Sequence, residues 1–307
     1  MRAALALLCV AAFGCATRAP LPPPSAAPPP AADQPEEAPP PPPRLAGIEG
    51  LLTLRGYSTA FHYVPGTLDR AAHTQSRLEA LAETFFKVGR QPPLIEVWVL
   101  DREAWEGAGL ERPYGLPQVV GPSAYAIPGW GDEGTVAAVE ALLGRPVDPL
   151  RDIPLRGTAE EGGALAVADA LIQVEASLDL MLSTGLEVEQ PWLLGLLAQV
   201  LARLTFERFE PGRMPEIATL FDAMAAAHGG PQAHRLEDYR FDLPLEEDLW
   251  YQARLLRGAD VIWVKEGGTA ASRWLYWLLD RGKPVTRAEV EKRFKGLAEW
   301  ERASFAP

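Results

Sequence analysis

The chain has 307 residues, with 29 Lys and Arg against 41 Asp and Glu, for a formal net charge of −12. An acidic balance of this size argues against binding nucleic acid, which relies on clustered Lys and Arg. Both cysteines, Cys9 and Cys15, lie before residue 16, so the rest of the chain has no disulfide scaffold, no Cys-ligated zinc and no cysteine nucleophile.

Residues 1–15 read MRAALALLCVAAFGC: one basic residue, Arg2, then an uninterrupted apolar run from Ala3 to Phe13. A membrane-spanning helix needs roughly 20 apolar residues, so this run suits the core of a secretory signal instead. Its end, Ala12-Phe13-Gly14-Cys15, resembles a bacterial lipobox, in which a small residue precedes a cysteine that is lipidated and becomes the new N-terminus. Phe13 is bulky for that pattern, and Ala12 stands where Leu is usual. A secretory signal cut nearby is the other reading. The resemblance implies residues 1–14 as signal peptide and Cys15 as the lipidation site of an envelope protein. Ala16 is not the Asp that retains such proteins at the inner membrane, so outer-membrane placement is the expectation.

Thirteen of the 30 prolines fall between Pro20 and Pro43. Proline fixes φ and removes the N–H donor, so this stretch can neither continue a helix nor pair within a sheet. A polyproline segment rises about 3.1 Å per residue, which gives it a reach of roughly 70 Å. Residues 15–44 therefore read as a lipidated cysteine and a disordered tether.

From Leu45 onward the patterning predicts an α+β fold, with a small sheet-bearing lobe at 45–158 followed by a helical lobe at 159–307. Strands are expected at Leu51–Leu54, Ala60–Val64, Leu94–Leu100 and, once or twice, within Val119–Pro128. Helices are expected at Thr67–Gly89, Val136–Leu143, Ala164–Ser183, Trp192–Phe209, Pro215–Ala227, Leu249–Lys265, Thr269–Arg281 and Thr286–Ala303. The apolar run ALAVADALIQVEASLDLML is interrupted by Asp169, Glu175 and Asp179, which makes it a central helix of a soluble domain and not a membrane span.

This order of elements, with FHYVPG, LIEVWVLD, GPSAYAIPGW and the PWLLGLLAQVLA helix start, resembles the gluzincin-type, thermolysin-like zinc metallopeptidases. In that family a helix carrying His-Glu-x-x-His supplies two zinc ligands and a general base, and the next helix supplies a carboxylate ligand. Matched to LIQVEASLDLML and PWLLGLLAQVLA, the resemblance places Glu175 at the general-base position and Val174, Leu178 and Gly195 at the ligand positions. Sixteen residues separate Leu178 from Gly195. No metal donor remains at those three positions, so the resemblance implies neither a metal nor another cofactor, and no catalytic residue. Leu171, Val174, Leu178 and Met181 form one apolar stripe that Leu194 and Leu197 of the next helix can meet. Glu175 lies off that stripe, either at solvent or a residual cleft, or buried with a raised pKa.

Other constellations carry less. His228 and His234 flank Gly229-Gly230-Pro231 and could pair with Glu237 or Asp238, but solvated loop histidines are the commoner case. His62 and His73 have no ligand-type partner at strand or helix spacing. Ser123 lacks a nucleophile-elbow frame, and Gly129-Trp130-Gly131 lacks the third glycine of a dinucleotide loop. Glu160-Glu161 read as helix caps. Seven tryptophans lie in predicted elements, while Trp105 and Trp130 sit near loops and are expected to be exposed. Three functions remain open: a lipid-anchored binding or scaffolding protein whose metallopeptidase-like domain is inactive, with a peptide or protein partner; a hydrolase using a non-zinc site around Glu175; and a structural envelope protein.

Overall fold

The structure, a computed structural model, describes residues 45, 47–87, 89–147, 163–210, 212, 214–228, 235–281, 283–294 and 296–305. These residues fall within one compact unit. The signal segment, Cys15, the tether, the 158/159 boundary, Glu160-Glu161, the 229–234 loop and the His228 side chain lie outside them.

The fold is α+β, with the sheet in the N-terminal region and helices after it. Five strands, β1 (Leu52–Arg55), β2 (Thr59–Tyr63), β3 (Ile95–Leu100), β4 (Gln118–Gly121) and β5 (Ala124–Pro128), form one sheet in the order β1-β2-β3-β5-β4. The three inner strands run parallel, and β1 and β4 close the edges antiparallel. Helix α1 (Leu68–Lys87) makes the crossover from β2 to β3, which parallel pairing requires.

Strand alternation divides the sheet into two buried faces. Phe61, Val97, Val99, Tyr125 and Ile127 join Leu78, Leu81 and Phe85 of α1 in the main core. Trp98, Leu100, Ala124 and Ala126 form a smaller core with Leu45, Trp105 and Tyr114. Trp105 was expected to be exposed, but it is 2 % exposed. It lies on a short helix that the sequence pattern does not reveal, α2 (Arg102–Gly107), capped by the Asp101 carboxylate accepting from the Ala104 N–H. The indole N–H donates to Arg112 O, so the ring is buried with its polar edge satisfied. Trp130 is exposed as expected.

Helix α3 (Glu133–Leu143) starts three residues before the apolar pattern does. Asp132 and Thr135 form a capping box there, and Gly144 ends the helix in a left-handed conformation. The helical region comprises α4 (Gly163–Ser183), α5 (Pro191–Phe209), α6 (Met214–His228), α7 (Leu245–Glu266), α8 (Gly268–Asp280), α9 (Arg287–Arg293) and α10 (Leu297–Phe305). The last two were expected as one helix. Phe294 turns inward against Trp274, with ring centroids 3.8 Å apart, and Gly296 takes φ +96°, so the helix breaks between them. Among the described residues no helix is long and apolar enough to cross a membrane.

Helix α4 runs through the centre, packing on α1, β5 and α5. Its first half is fixed to α1 by charge. Arg70 and Arg77 each place a guanidinium nitrogen 2.7 Å from the Asp169 carboxylate, and Arg77 also reaches Glu210 at 2.8 Å. Burial alone would raise the Asp169 pKa, but the two arginines hold it below the usual carboxylate range.

Candidate functional site

The second half of α4 carries Val174, Glu175, Leu178 and Asp179. Val174 and Leu178 are 6 % and 9 % exposed and lie in the main core with Leu194 and Leu197, as the apolar stripe predicts. Gly195 is buried on α5. A Cβ added there would stand 2.9 Å from Leu255 Cδ1 and 3.1 Å from both Cε1 and the hydroxyl of Tyr239. The volume that a side chain at 195 would need is thus filled by Tyr239 and Leu255.

Glu175 and Asp179, one turn apart on α4, belong to one cluster of polar side chains. Glu175 keeps about a quarter of its side-chain surface open and lies 3.8 Å from Arg112 Nη2. Both sequence alternatives for Glu175 are therefore met at once, because it reaches solvent and yet its pKa is raised. Arg112 comes from the segment between α2 and β4. The Gln118 side-chain oxygen accepts from the backbone N–H of Glu111 and Arg112, and Arg112 Nη1 donates to Pro117 O, which fixes that segment beside Glu175. Asp179 accepts from the Tyr125 hydroxyl of β5 and from the Ser123 backbone N–H. Ser123 holds φ +52°, the left-handed region, and is the only non-glycine residue that does so among the described residues. The β4–β5 turn thus aims its amide at the carboxylate.

The other side of the cluster comes from α7. Gln252 Nε2 donates to Asp248 Oδ1 at 3.0 Å and to the Tyr239 hydroxyl at 3.2 Å. Gln252 Oε1 in turn accepts from Gln199 Nε2 of α5 at 2.7 Å. One chain of hydrogen bonds so ties α5, α7 and the Tyr239 loop beneath the carboxylates.

The surroundings of three acidic groups in this cluster shift their pKa values upward. Burial, then Asp248 and Asp179 nearby, pushes the Glu175 carboxyl up to about 7, with Arg112 opposing. Burial also raises Asp248 and Asp179 despite their hydrogen bonds. Tyr239 and Tyr125 are raised by burial and by the adjacent carboxylates, so both remain neutral donors at neutral pH. Chemically, the cluster presents the partly exposed Glu175 carboxyl beside the Arg112 guanidinium, while the Tyr125 and Tyr239 hydroxyls are buried and engaged with Asp179 and Gln252.

A zinc ion of the metallopeptidase kind does not fit this arrangement. Val174, Leu178 and Gly195 have no donor atom, and zinc needs three protein donors. Among the described residues no three His, Cys, Asp or Glu side chains are grouped as metal ligands.

Elsewhere, the histidines have partners that sequence spacing did not predict. His62 stacks on Trp98 and lies 3.9 Å from Glu96, and His73 lies 3.5 Å from Glu210. Burial chiefly lowers the His62 pKa.

Sequence reasoning identified Glu175 but not Arg112, Tyr125, Tyr239, Asp248 or Gln252. The one available signal was the four-residue spacing of Glu175 with Asp179 and of Asp248 with Gln252, each pair on one helical face. Comparison with protein-family models, curated proteins and solved structures gave no match.

Proposed function

We propose that this chain is a lipid-anchored protein of the bacterial cell envelope whose domain binds a peptide or protein partner and does not hydrolyse it through a metal. Cys15 is the anchor in this reading, the 15–44 segment is the spacer, and the membrane is reached through the N-terminal lipid. The observation that carries the non-metal reading is Gly195, where Tyr239 and Leu255 take the space a ligand side chain would need. Val174 and Leu178 extend that core, so the helix pair is packed for stability where the resembling family leaves a cleft. The partly exposed Glu175 and Arg112 side chains supply the polar surface for recognition in this reading.

A second reading has one observation in its favour. With its carboxyl at about 7, Glu175 has the value a general acid or base needs at neutral pH. A hydrolase using Glu175 as its acid or base would need no metal. Complementation separates the two readings. A strain lacking the chain is rescued by Glu175→Gln as well as by the native chain if the role is binding. Loss of rescue by a Gln variant that remains folded and abundant contradicts binding and favours proton transfer.

A further inference from the structure

The sheet carries a second set of polar side chains, which the cluster around Glu175 does not use. The register of β1, β2 and β3 places Thr53 opposite His62, His62 opposite Trp98, and Arg55 and Glu96 on either side of Ala60. By strand alternation all of these side chains project from the face that Trp98 shares with the smaller core. Ala60 and Ala124 flank Glu96 in the ladder, so no large side chain stands directly beside its carboxyl on the neighbouring strands.

Three of these groups follow one another in space. The Thr53 hydroxyl lies 3.4 Å from His62 Nδ1, and His62 Nε2 lies 3.9 Å from Glu96 Oε1. Stacking on Trp98, with ring centroids 5.1 Å apart and planes 22° apart, sets the orientation of the imidazole. Thr53 is exposed on the edge strand, the His62 side chain is 24 % exposed and that of Glu96 is 7 % exposed. Burial, then Arg55, holds the His62 pKa below its ordinary value, so the ring is neutral at neutral pH. With its one proton on Nε2, toward Glu96, Nδ1 is left to accept from Thr53. Arg55 is near enough to act on both His62 and Glu96.

A hydroxyl opposite a histidine on an edge strand is an ordinary cross-strand pair. Glu96 is not accounted for in that way. It is a carboxyl on the central strand, burial raises its pKa, and its one ion pair among the described residues is with His62. An apolar residue would fill a purely packing position there at lower cost.

We propose that Thr53, His62 and Glu96 form an acyl-transfer site for small carboxylic esters, separate from the Glu175 cluster and independent of the lipid anchor. Thr53 Oγ1 adds to the ester carbonyl carbon as its proton passes to His62 Nδ1. The carbon–oxygen bond to the alcohol breaks, and the imidazolium returns the proton to the departing alkoxide. Water then adds to the acyl-threonine and gives a proton to His62; the bond to Thr53 breaks, the hydroxyl regains that proton, and the carboxylic acid leaves. Glu96 is a positioning residue, which keeps the resting proton on Nε2 and steadies the imidazolium. The Arg55 guanidinium supplies positive charge for the oxyanion. In free enzymes such contacts are commonly long, and they tighten around bound substrate.

The test mixes the full chain with p-nitrophenyl acetate at neutral pH, follows nitrophenolate release, and maps acetyl groups on the quenched protein by peptide mass spectrometry. Saturable release is expected, with an acetyl group on Thr53. Thr53→Val keeps the β-branched shape of an exposed strand residue and should lower kcat/KM at least about 100-fold, as should His62→Gln. Thr53→Ser should retain the activity. Glu96→Gln should lower kcat and raise the population of the Nδ1–H tautomer of His62, read by imidazole nitrogen NMR, which a purely packing role would leave unchanged. Release that does not saturate, acetylation at other residues only, or equal rates in Thr53→Val and the native chain overturns the site and leaves Thr53 and His62 as a cross-strand pair.

Discussion

Placing an acidic side chain at position 195 tests whether that position is filled core. In Gly195→Ala the new Cβ meets Leu255 at 2.9 Å and Tyr239 at 3.1 Å. Overpacking of this kind costs about 1–3 kcal/mol, offset by about 1 kcal/mol of helix propensity gained over glycine. Gly195→Glu adds a longer chain and a carboxyl beside Glu175 and Asp248, both already above their ordinary pKa. Strain and the burial of a further like charge together should cost about 3–5 kcal/mol. For a domain of this size that lowers Tm by roughly 10 °C. Urea unfolding followed by tryptophan fluorescence at neutral pH measures it. Tyr239→Ala makes room for the new side chain, so the double variant should be more stable than the two single effects added together, by at least about 1 kcal/mol. Additive effects, or a Gly195→Glu chain within about 1 kcal/mol of native, would refute the claim that Tyr239 occupies this position.

Three further outcomes follow from the same geometry. Glu175 has its folded pKa raised from 4.5 to about 7, so the native state holds a proton that the unfolded state has released. Its contribution is therefore lost progressively as pH rises from about 4.5 to 7 and stays lost above that, with a ceiling of about 3 kcal/mol because water still reaches part of the side chain. Glu175→Gln should accordingly be more stable than native at pH 8 and indistinguishable from it near pH 4.5; equal pH profiles would contradict the buried ionisation. Arg77→Met removes the buried cation between Asp169 and Glu210, and denaturation should show a loss of about 3–5 kcal/mol. Asp169 is depressed in the native state, so its stabilisation holds above the unfolded carboxylate pKa and fades as pH falls through the folded one; Arg77→Met should move acid unfolding to higher pH. Cys15→Ala should shift the chain from the membrane to the soluble fraction on cell fractionation, and continued retention would reject lipidation at Cys15.

Much of the fold was legible because its signals are local. The β-branched run of β3, the period of α1 and the Pro191 start of α5 each fix an element without reference to the rest. The elements that escaped depend on distant partners. Helix α2 is six residues long and exists through the Asp101 cap and the burial of Trp105 under the sheet. The α9–α10 break needs Trp274, some twenty residues earlier, to draw Phe294 inward. The polar cluster was legible only in part for the same reason. Val174 and Leu178 declare their core role by helical spacing, whereas Arg112, Tyr239 and Asp248 come from three separate segments that only the tertiary fold brings to Glu175. Gly195 shows in the sequence only the absence of a side chain; in the structure Tyr239 and Leu255 fill the space where a Cβ would stand.

The most direct test of the central claim is the zinc content of the purified full-length chain after dialysis against a weak chelator and then against zinc. With Val174, Leu178 and Gly195 as core, elemental analysis should find zinc far below one per chain, unchanged by Glu175→Gln. One tightly held zinc per chain, whether or not Glu175→Gln loses it, would contradict the account.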